Sequence, residues 1–349
     1  MNSCSISKPR IGICVSKKKR LLSELIEIRI KKFRGKGSFI KFYIEDLNLE
    51  KCQVKGEYFN RKTKQWEEGI FPFPETIYVQ CYVDQQRLKE IEQVIGQKVF
   101  NNFIFDKWQG WELLSKDTVL QHSLPHTVQM KNKVDIKHFL YYHQDIILKP
   151  IDVSTGHSSR GLFRVKLQKN NIINVFFTKK QKIKEKKFES FDTFFEWISL
   201  KISTNEYIVQ QSIQTVMLDK NATDIRLNMN KNAKGKWEVS LLLMRVATNS
   251  SYIIPSTVKI LSIDKLVKLY PESKLKWNNI KNEAIHIGRR ICHTFDKSGY
   301  HMANIGIDLG LDANEHLWVF EVNPLPHPLN GKDPSHKKPF EYACYLAST

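Results

Sequence analysis

The chain has 349 residues, with Lys+Arg 55 against Asp+Glu 36, a formal net charge of +19, 41% hydrophobic residues and 26% charged residues. That composition excludes a disordered chain, a collagen and a coiled-coil rod. No apolar run is long enough to cross a bilayer, and the length implies two or three folding units.

The first residues lack the apolar stretch and small-residue cleavage site of a signal peptide. The six cysteines, at 4, 14, 52, 81, 292 and 344, form no Cys-x-x-Cys pair. Reduced cytosolic thiols are therefore expected, not a zinc ribbon or a redox motif. The first 50 residues hold 12 basic against 5 acidic residues, and residues 179–187 hold six lysines. We read the surplus as a lysine-rich solvated surface, with a polyanionic partner as the competing reading.

In chain order, residues 11–15 read as a first strand, and Leu21, Leu22, Leu25, Ile26 and Ile30 as one face of a helix. Residues 40–44 and 76–83 are further strand candidates, with a hairpin or loop at 56–69 between them. Residues 97–130 read as mostly helical up to Leu124-Pro125. Strands follow at 145–150, 162–167 and 172–177, the first two separated by a Gly/Ser-rich turn at 154–161. A helix with Phe191, Phe194, Phe195 and Ile198 as its apolar face comes next, then a strand at 207–213. Residues 224–230 and 237–246 read as a hairpin. Ile280, Ala284, Ile287 and Ile291 mark a helix stopping at Gly299, and strands at 305–309 and 317–322 close the pattern.

Alternate residues of a strand share a face, so Glu321 and Asn323 project together, with Val319 between the same walls. With the turn centred on 313–314, Asp308 lies opposite Val319 and diagonal to Glu321. Two carboxylates and an amide oxygen converging beside apolar strands suit Mg²⁺; solvent-facing carboxylates at strand ends are the alternative. Lys149 precedes the turn at 154–161, whose backbone N–H groups could hold phosphate oxygens, though an ordinary hairpin loop fits as well. No P-loop, His-Glu-x-x-His or Gly-x-Ser-x-Gly motif is present. Arg226 and Arg245 lie inside apolar strands, where an arginine needs a partner. That partner is a phosphate or carboxylate ligand, or a structural acid such as Asp224 or Glu238, a reading that suits Arg226 better than Arg245.

The order of these parts resembles the ATP-grasp superfamily, and most closely the YheC/YheD endospore-coat-associated family. The likeness is carried by Asp224-Ile225-Arg226, Met244-Arg245-Val246-Ala247, residues 306–312 and Trp318-Val319-Phe320-Glu321-Val322-Asn323. The 13-residue step from Asp308 to Glu321 and the 2-residue step to Asn323 also occur in D-alanine–D-alanine ligases. The resemblance covers residues 100–330 and implies an α+β ATP-grasp fold. Its units would be an N-terminal α/β unit at 1–98, a first lobe with a phosphate lid at 99–212 and a second lobe with a Mg²⁺ site at 213–349. It implies ATP and Mg²⁺ as cofactors, with Lys107 and Lys149 on the phosphates. Ser158, Ser159, Arg160 and Gly161 would form the lid, and Gln210, Gln211 and Ile213 would line the adenine. Asp308, Glu321 and Asn323 would hold Mg²⁺, and Arg226 and Arg245 would act on the transferred phosphoryl group. The implied reaction is ATP activation of a carboxylate followed by attack of an amine or thiol, in the cytoplasm or at the developing spore.

Two departures stand out. Related families carry an Asn and a Gly-Gly pair after the second arginine, where this chain has Pro255 and no glycines. They also place an arginine two residues before Asp308, where this chain has Gly306. The first departure makes a non-catalytic ATP-binding or structural spore-coat protein the alternative. Spore-coat proteins are possible partners; no membrane or nucleic-acid partner is expected, since aromatic residues do not interleave with the basic ones.

Overall fold

The structure, a computed structural model of the chain, describes residues 9–17, 20–152, 161–179, 182–248, 258–269, 276–326 and 333–349. Three sheets follow one another along the sequence.

The first contains β1 (Arg10–Val15), β2 (Ser38–Tyr43), β3 (Leu47–Asn48), β4 (Gln53–Asn60), β5 (Gln65–Pro72), β6 (Thr76–Val79) and β7 (Val99–Phe100). Strands β2, β1, β6 and β7 run parallel, and β4 and β5 form the predicted hairpin. Parallel strands are covered on both faces. Here α1 (Arg20–Lys32) supplies Ile26 and Ile30 to one side, and α2 (Gln85–Ile95) supplies Leu88 and Ile91 to the other.

The stretch expected to be helical up to residue 124 holds one nine-residue helix, α3 (Lys107–Ser115). A capping box between Asp106 and Gln109 starts it. Asp117 then accepts from the backbone N–H groups of Val119 and Leu120, and the chain turns into a short 3₁₀ segment, Leu120–Ser123.

The second sheet is wholly antiparallel, in the order β12-β11-β10-β9-β13-β8. Its strands are β8 (Thr127–Gln129), β9 (Asp145–Pro150), β10 (Phe163–Leu167), β11 (Ile173–Lys179), β12 (Lys182–Phe188) and β13 (Tyr207–Gln211). Its apolar face, with Leu148, Val165, Val175 and Val209, packs on α4 (Lys133–His143) and α5 (Phe191–Ser199). Helix α4 is absent from the sequence reading, although Asn132 and Asp135 form its capping box and Ile136, Phe139 and Leu140 its buried face. Strand β12 is equally absent, because its lysines read as a charge run.

The third sheet has the order β17-β16-β15-β18-β19, with β14 (Met217–Leu218) also on β15. Its long strands are β15 (Asn221–Lys231), β16 (Trp237–Ala247), β17 (Val258–Ser262), β18 (Asn304–Leu311) and β19 (Leu317–Asn323). Helix α6 (Ile263–Leu269) packs on its apolar side, and α7 (Trp277–Lys297) lays Ile280, Ala284, Ile287 and Ile291 there, stopping two residues before Gly299. Full burial of each such isoleucine is worth roughly 1.5–3 kcal/mol. Leu114 of α3 joins this third core, and α8 (Lys338–Ser348) sets Phe340 and Ala343 into the first.

Asn101, fully buried with φ +52°, ties the first sheet to the third. Asparagine tolerates that left-handed conformation better than most residues. Its side-chain oxygen accepts from the N–H groups of Ala303 and Asn304, and its amide donates to the carbonyls of Asn304 and Pro324. Replacing it with alanine leaves those four buried groups unpaired, each costing about 1–3 kcal/mol. Asn101→Ala is therefore expected to lower the thermal unfolding midpoint by about 10 °C or more, given roughly 2–4 °C per kcal/mol for a chain of this class.

Candidate functional site

The second and third sheets each turn one polar face toward a common cleft. On β9, alternation puts Asp145, Ile147 and Lys149 on that face and Ile146 and Leu148 in the core. On β13, opposite it, Ile208 and Gln210 share the cleft face. Gln210 is buried; its Oε1 accepts from Lys149 Nζ at 2.6 Å and its Nε2 donates to Thr127 Oγ1 at 2.9 Å. Gln211, one residue on, faces the other way and accepts from the His126 N–H. Ile213 lies two residues past the strand and is half-buried. Gln210 thus reaches the cleft and Gln211 does not.

On the third sheet, β15 alternates Ile225, Leu227 and Met229 inward with Asp224, Arg226, Asn228 and Asn230 on the other face. Every one of these residues is buried. Asp224 sits directly opposite Arg245 on β16, which binds it with two hydrogen bonds, one of them Nε to Oδ1 at 2.6 Å. Arg226 sits directly opposite Asp308 on β18 and donates to its Oδ1 at 2.7 Å; Arg245 reaches the same oxygen at 3.0 Å. The structural acid proposed as a partner for Arg226 is therefore Arg245's partner instead, because Asp224 and Arg245 are cross-strand neighbours. Arg226 is also held by Asn228, whose amide in turn reaches Asp333.

Gly306 explains one departure noted above. A Cβ there would lie 2.3 Å from Arg226 Nη2 and 2.6 Å from its Cζ. The space a side chain would take at 306 is filled by the guanidinium of the neighbouring strand.

The β18–β19 hairpin departs from the plain register expected. Leu309 pairs with Val319 and Asp308 with Glu321, so Phe320 is the extra residue of a β-bulge. Asp308 lies directly across from Glu321, not diagonal to it. Val319 turns into the apolar core and does not share Glu321's face. Asn323 lies two residues on, opposite Gly306.

Lys107, at the start of α3, approaches Glu321 at 3.8 Å. A small cavity is lined by Lys107, Trp111, Gln210, Phe320 and Glu321 among others, so α3, β13 and β19 meet there. Lys149 Nζ lies 5.8 Å from the Phe320 ring. Lys107, Lys149, Gln210, Asp308 and Glu321 are thus brought together. Gly161 takes a positive φ of +77°, and a Cβ there would lie 2.8 Å from the Tyr207 hydroxyl. Ser158, Ser159 and Arg160 lie outside the described residues, as does Pro255.

Burial works against the charge of Asp308, but Arg226 and Arg245 outweigh it and hold the carboxyl below its usual range. Burial pushes Asp224 up to about 6 against the pull of Arg245, with the charge of Asp308 adding to the rise. Lys149 is pushed down to about 8, chiefly by burial; Lys107 lowers it further, while Glu321 and Asp308 oppose the shift.

The donor set suits a hard divalent cation. Both arginines address Oδ1 of Asp308, so among the described residues its Oδ2 takes no partner. Among the described residues the one ion pair of Glu321 is the long approach of Lys107. Two carboxylates and one amide oxygen at adjoining strand positions are what Mg²⁺ accepts alongside phosphate oxygens and water. Asn228, Asp333 and Thr127 escaped the sequence reading. The two-residue polar rhythm of β15 could have exposed Asn228; nothing local signals Thr127 or Asp333.

A mixed α+β chain whose antiparallel second and third sheets face each other across basic and acidic side chains has the ATP-grasp fold. Residues 96–346 match the YheC/D-like ATP-grasp family, and the chain belongs to it. It is 24% identical over 298 residues to the endospore coat-associated protein YheC of Bacillus subtilis, covering 82% of this chain and 80% of that protein. Among solved structures it is similar to D-alanyl-alanine synthetase A of Vibrio cholerae, with TM-score 0.56, 10% identity, and 99% and 100% of the two chains covered. It is also similar to a carboxyaminoimidazole ribonucleotide synthase of Aspergillus clavatus complexed with ATP, with TM-score 0.52, 10% identity, and 92% and 71% covered.

Proposed function

We propose that the chain is an ATP- and Mg²⁺-dependent ligase that joins a carboxylate to an amine or a thiol through an acyl-phosphate. The observation that carries this reading is the convergence of Lys107 and Lys149 on the carboxylates Asp308 and Glu321. In the first half-reaction a carboxylate oxygen attacks the γ-phosphorus and ADP leaves with the bridging oxygen. In the second, the amine attacks the acyl carbon, inorganic phosphate leaves, and the amine proton passes to solvent. Lys107 and Lys149 bind phosphate oxygens, and Arg226 and Arg245 flank the transferred group. Asp308, Glu321 and Asn323 hold Mg²⁺, which when bound neutralises phosphate charge. Gln210 and Ile213 border the adenine end, with 158–161 as the lid; Gln211, facing away from the cleft, is left out of that set. Fixed charges aimed at the phosphoryl group are the main catalytic resource in such transfers.

The name of YheC supports association with the developing spore coat, and the cytoplasm is the proposed site of action. No helix among the described residues is long and apolar enough to cross a membrane. The second reading, a non-catalytic nucleotide-binding coat protein, is favoured by Pro255 in place of the expected Asn and glycines.

The test is a hydroxylamine trap. Purified chain, Mg²⁺-ATP, a panel of carboxylic acids and hydroxylamine should yield a hydroxamate and ADP in equal amounts with at least one acid. ATP binding without any hydroxamate across the panel would favour the non-catalytic reading.

A pH dependence follows from Lys149. Bound phosphates favour its charged form and raise its pKa above about 8. Below pH 8 it is already protonated and affinity is flat. Above pH 8 binding must take up a proton, so affinity falls by up to about tenfold per pH unit. Titration calorimetry at pH 7, 8 and 9 should show that fall, and Lys149→Arg should flatten it. A flat wild-type profile would remove Lys149 from the phosphates.

A further inference from the structure

Four lysines of the run at 179–187 share one face of the second sheet. Strand β12 is the outer edge of the second sheet. Its register places Lys182 opposite Lys179, Lys184 opposite Phe177 and Lys186 opposite Val175. Directly opposed residues share a face, so Lys179, Lys182, Lys184 and Lys186 stand on one side of the sheet. Helix α5 packs on that side, and just beyond its end Lys201 brings its Nζ to 4.7 Å from the Trp197 ring, with Lys186 Nζ at 5.3 Å from the same ring. All five lysines are exposed, and among the described residues none of them pairs with a carboxylate. The one acid of the strand, Glu185, lies on the opposite face, where Lys187 approaches it at 3.9 Å. Lysines two apart on a strand are about 6.6–6.8 Å apart. The result is a straight row of unpaired positive charge on an aromatic floor.

We propose that this face binds a single-stranded phosphodiester chain through its backbone. One exposed lysine contributes little to holding a single ion, but a row of them sums its counterion release along a linear polyanion. Trp197 already lies under two ammonium groups, so it offers no open shelf for a base, and the phosphates alone are read. Edge lysines also guard against strand-to-strand aggregation. That role alone predicts no polyanion binding.

The probe is fluorescein-labelled dT20, measured by anisotropy on the full chain at 50 and 200 mM KCl. For about four phosphates at a slope of roughly −0.7 each, affinity should fall roughly 50-fold between the two salts. An abasic 20-mer should bind nearly as well; base stacking would make dT20 tighter by about fivefold or more per base and would overturn backbone-only reading. The variant Lys182→Glu/Lys184→Glu/Lys186→Glu keeps a charged, guarded edge and should lose binding at 50 mM with its unfolding midpoint unchanged. Lys201→Glu, outside the sheet, serves as a second variant and should weaken binding severalfold. No wild-type binding at 50 mM, binding independent of salt, or wild-type affinity in the folded reversal variants would overturn the proposal.

Discussion

Glu321→Ala is expected to abolish Mg²⁺-dependent binding of ATP while leaving the fold intact. Among the described residues Glu321 is held by no short ion pair; its ion pair with Lys107 is a long one, at 3.8 Å. Its strand is anchored by Leu317, Val319 and Val322 in the third core, so removing the carboxylate leaves the packing in place. On the proposed reading, what is lost is one of two anionic ligands of a hard cation, together with a negative charge beside Lys107 and Lys149. Titration of Mg²⁺-ATP into wild type and variant, with circular dichroism as the check on folding, reads the effect. A folded variant that retains wild-type Mg²⁺-ATP affinity would remove Glu321 from the metal site.

Arg245→Leu is expected to destabilise the protein by about 3–5 kcal/mol, the usual cost of breaking a buried ion pair by removing one partner. Arg245 holds two carboxylates at once, Asp224 through two hydrogen bonds and Asp308 through an ion pair at 3.0 Å. Without it, Arg226 alone faces both. Asp224 is already pushed up to about 6 by burial, and losing its cation raises it further. A carboxyl whose folded pKa lies above its unfolded value binds a proton on folding, so its ionisation opposes folding as pH rises through that range. The deficit of the variant should therefore be full at pH 7–8 and shrink toward pH 5. Urea unfolding at pH 5 and pH 7.5 measures both values. Equal deficits at the two pH values would show that Asp224 does not titrate in the folded variant.

The sequence exposed period-two and period-3.6 patterns but not where strands slip or which acid finds which base. Strands β15, β16, β18 and β19 and helix α7 were legible because their apolar residues alternate or step cleanly. Helix α4 was hidden between a stretch read as helical and a readable strand, although its capping box was present in Asn132 and Asp135. Strand β12 was hidden by composition, since an exposed edge carries no apolar rhythm. Glu321 could be placed on the right strand, but not directly across from Asp308, because a bulge at Phe320 has no local signature. Arg226 and Arg245 could be singled out as buried cations; their partners depend on cross-strand register, which only the assembled sheet fixes. Gly306 read as a missing arginine, and in the structure it is the space into which Arg226 turns.

The most direct test of the account is thermal unfolding of the wild-type chain with ATP in the presence and absence of Mg²⁺. A ligand at 100 times its dissociation constant adds about 2.7 kcal/mol, which should raise the midpoint by roughly 5–10 °C. That rise is expected with millimolar Mg²⁺-ATP, and its near disappearance when Mg²⁺ is chelated. No shift with Mg²⁺-ATP, or the same shift without Mg²⁺, would contradict a site built from Lys107, Lys149, Asp308 and Glu321.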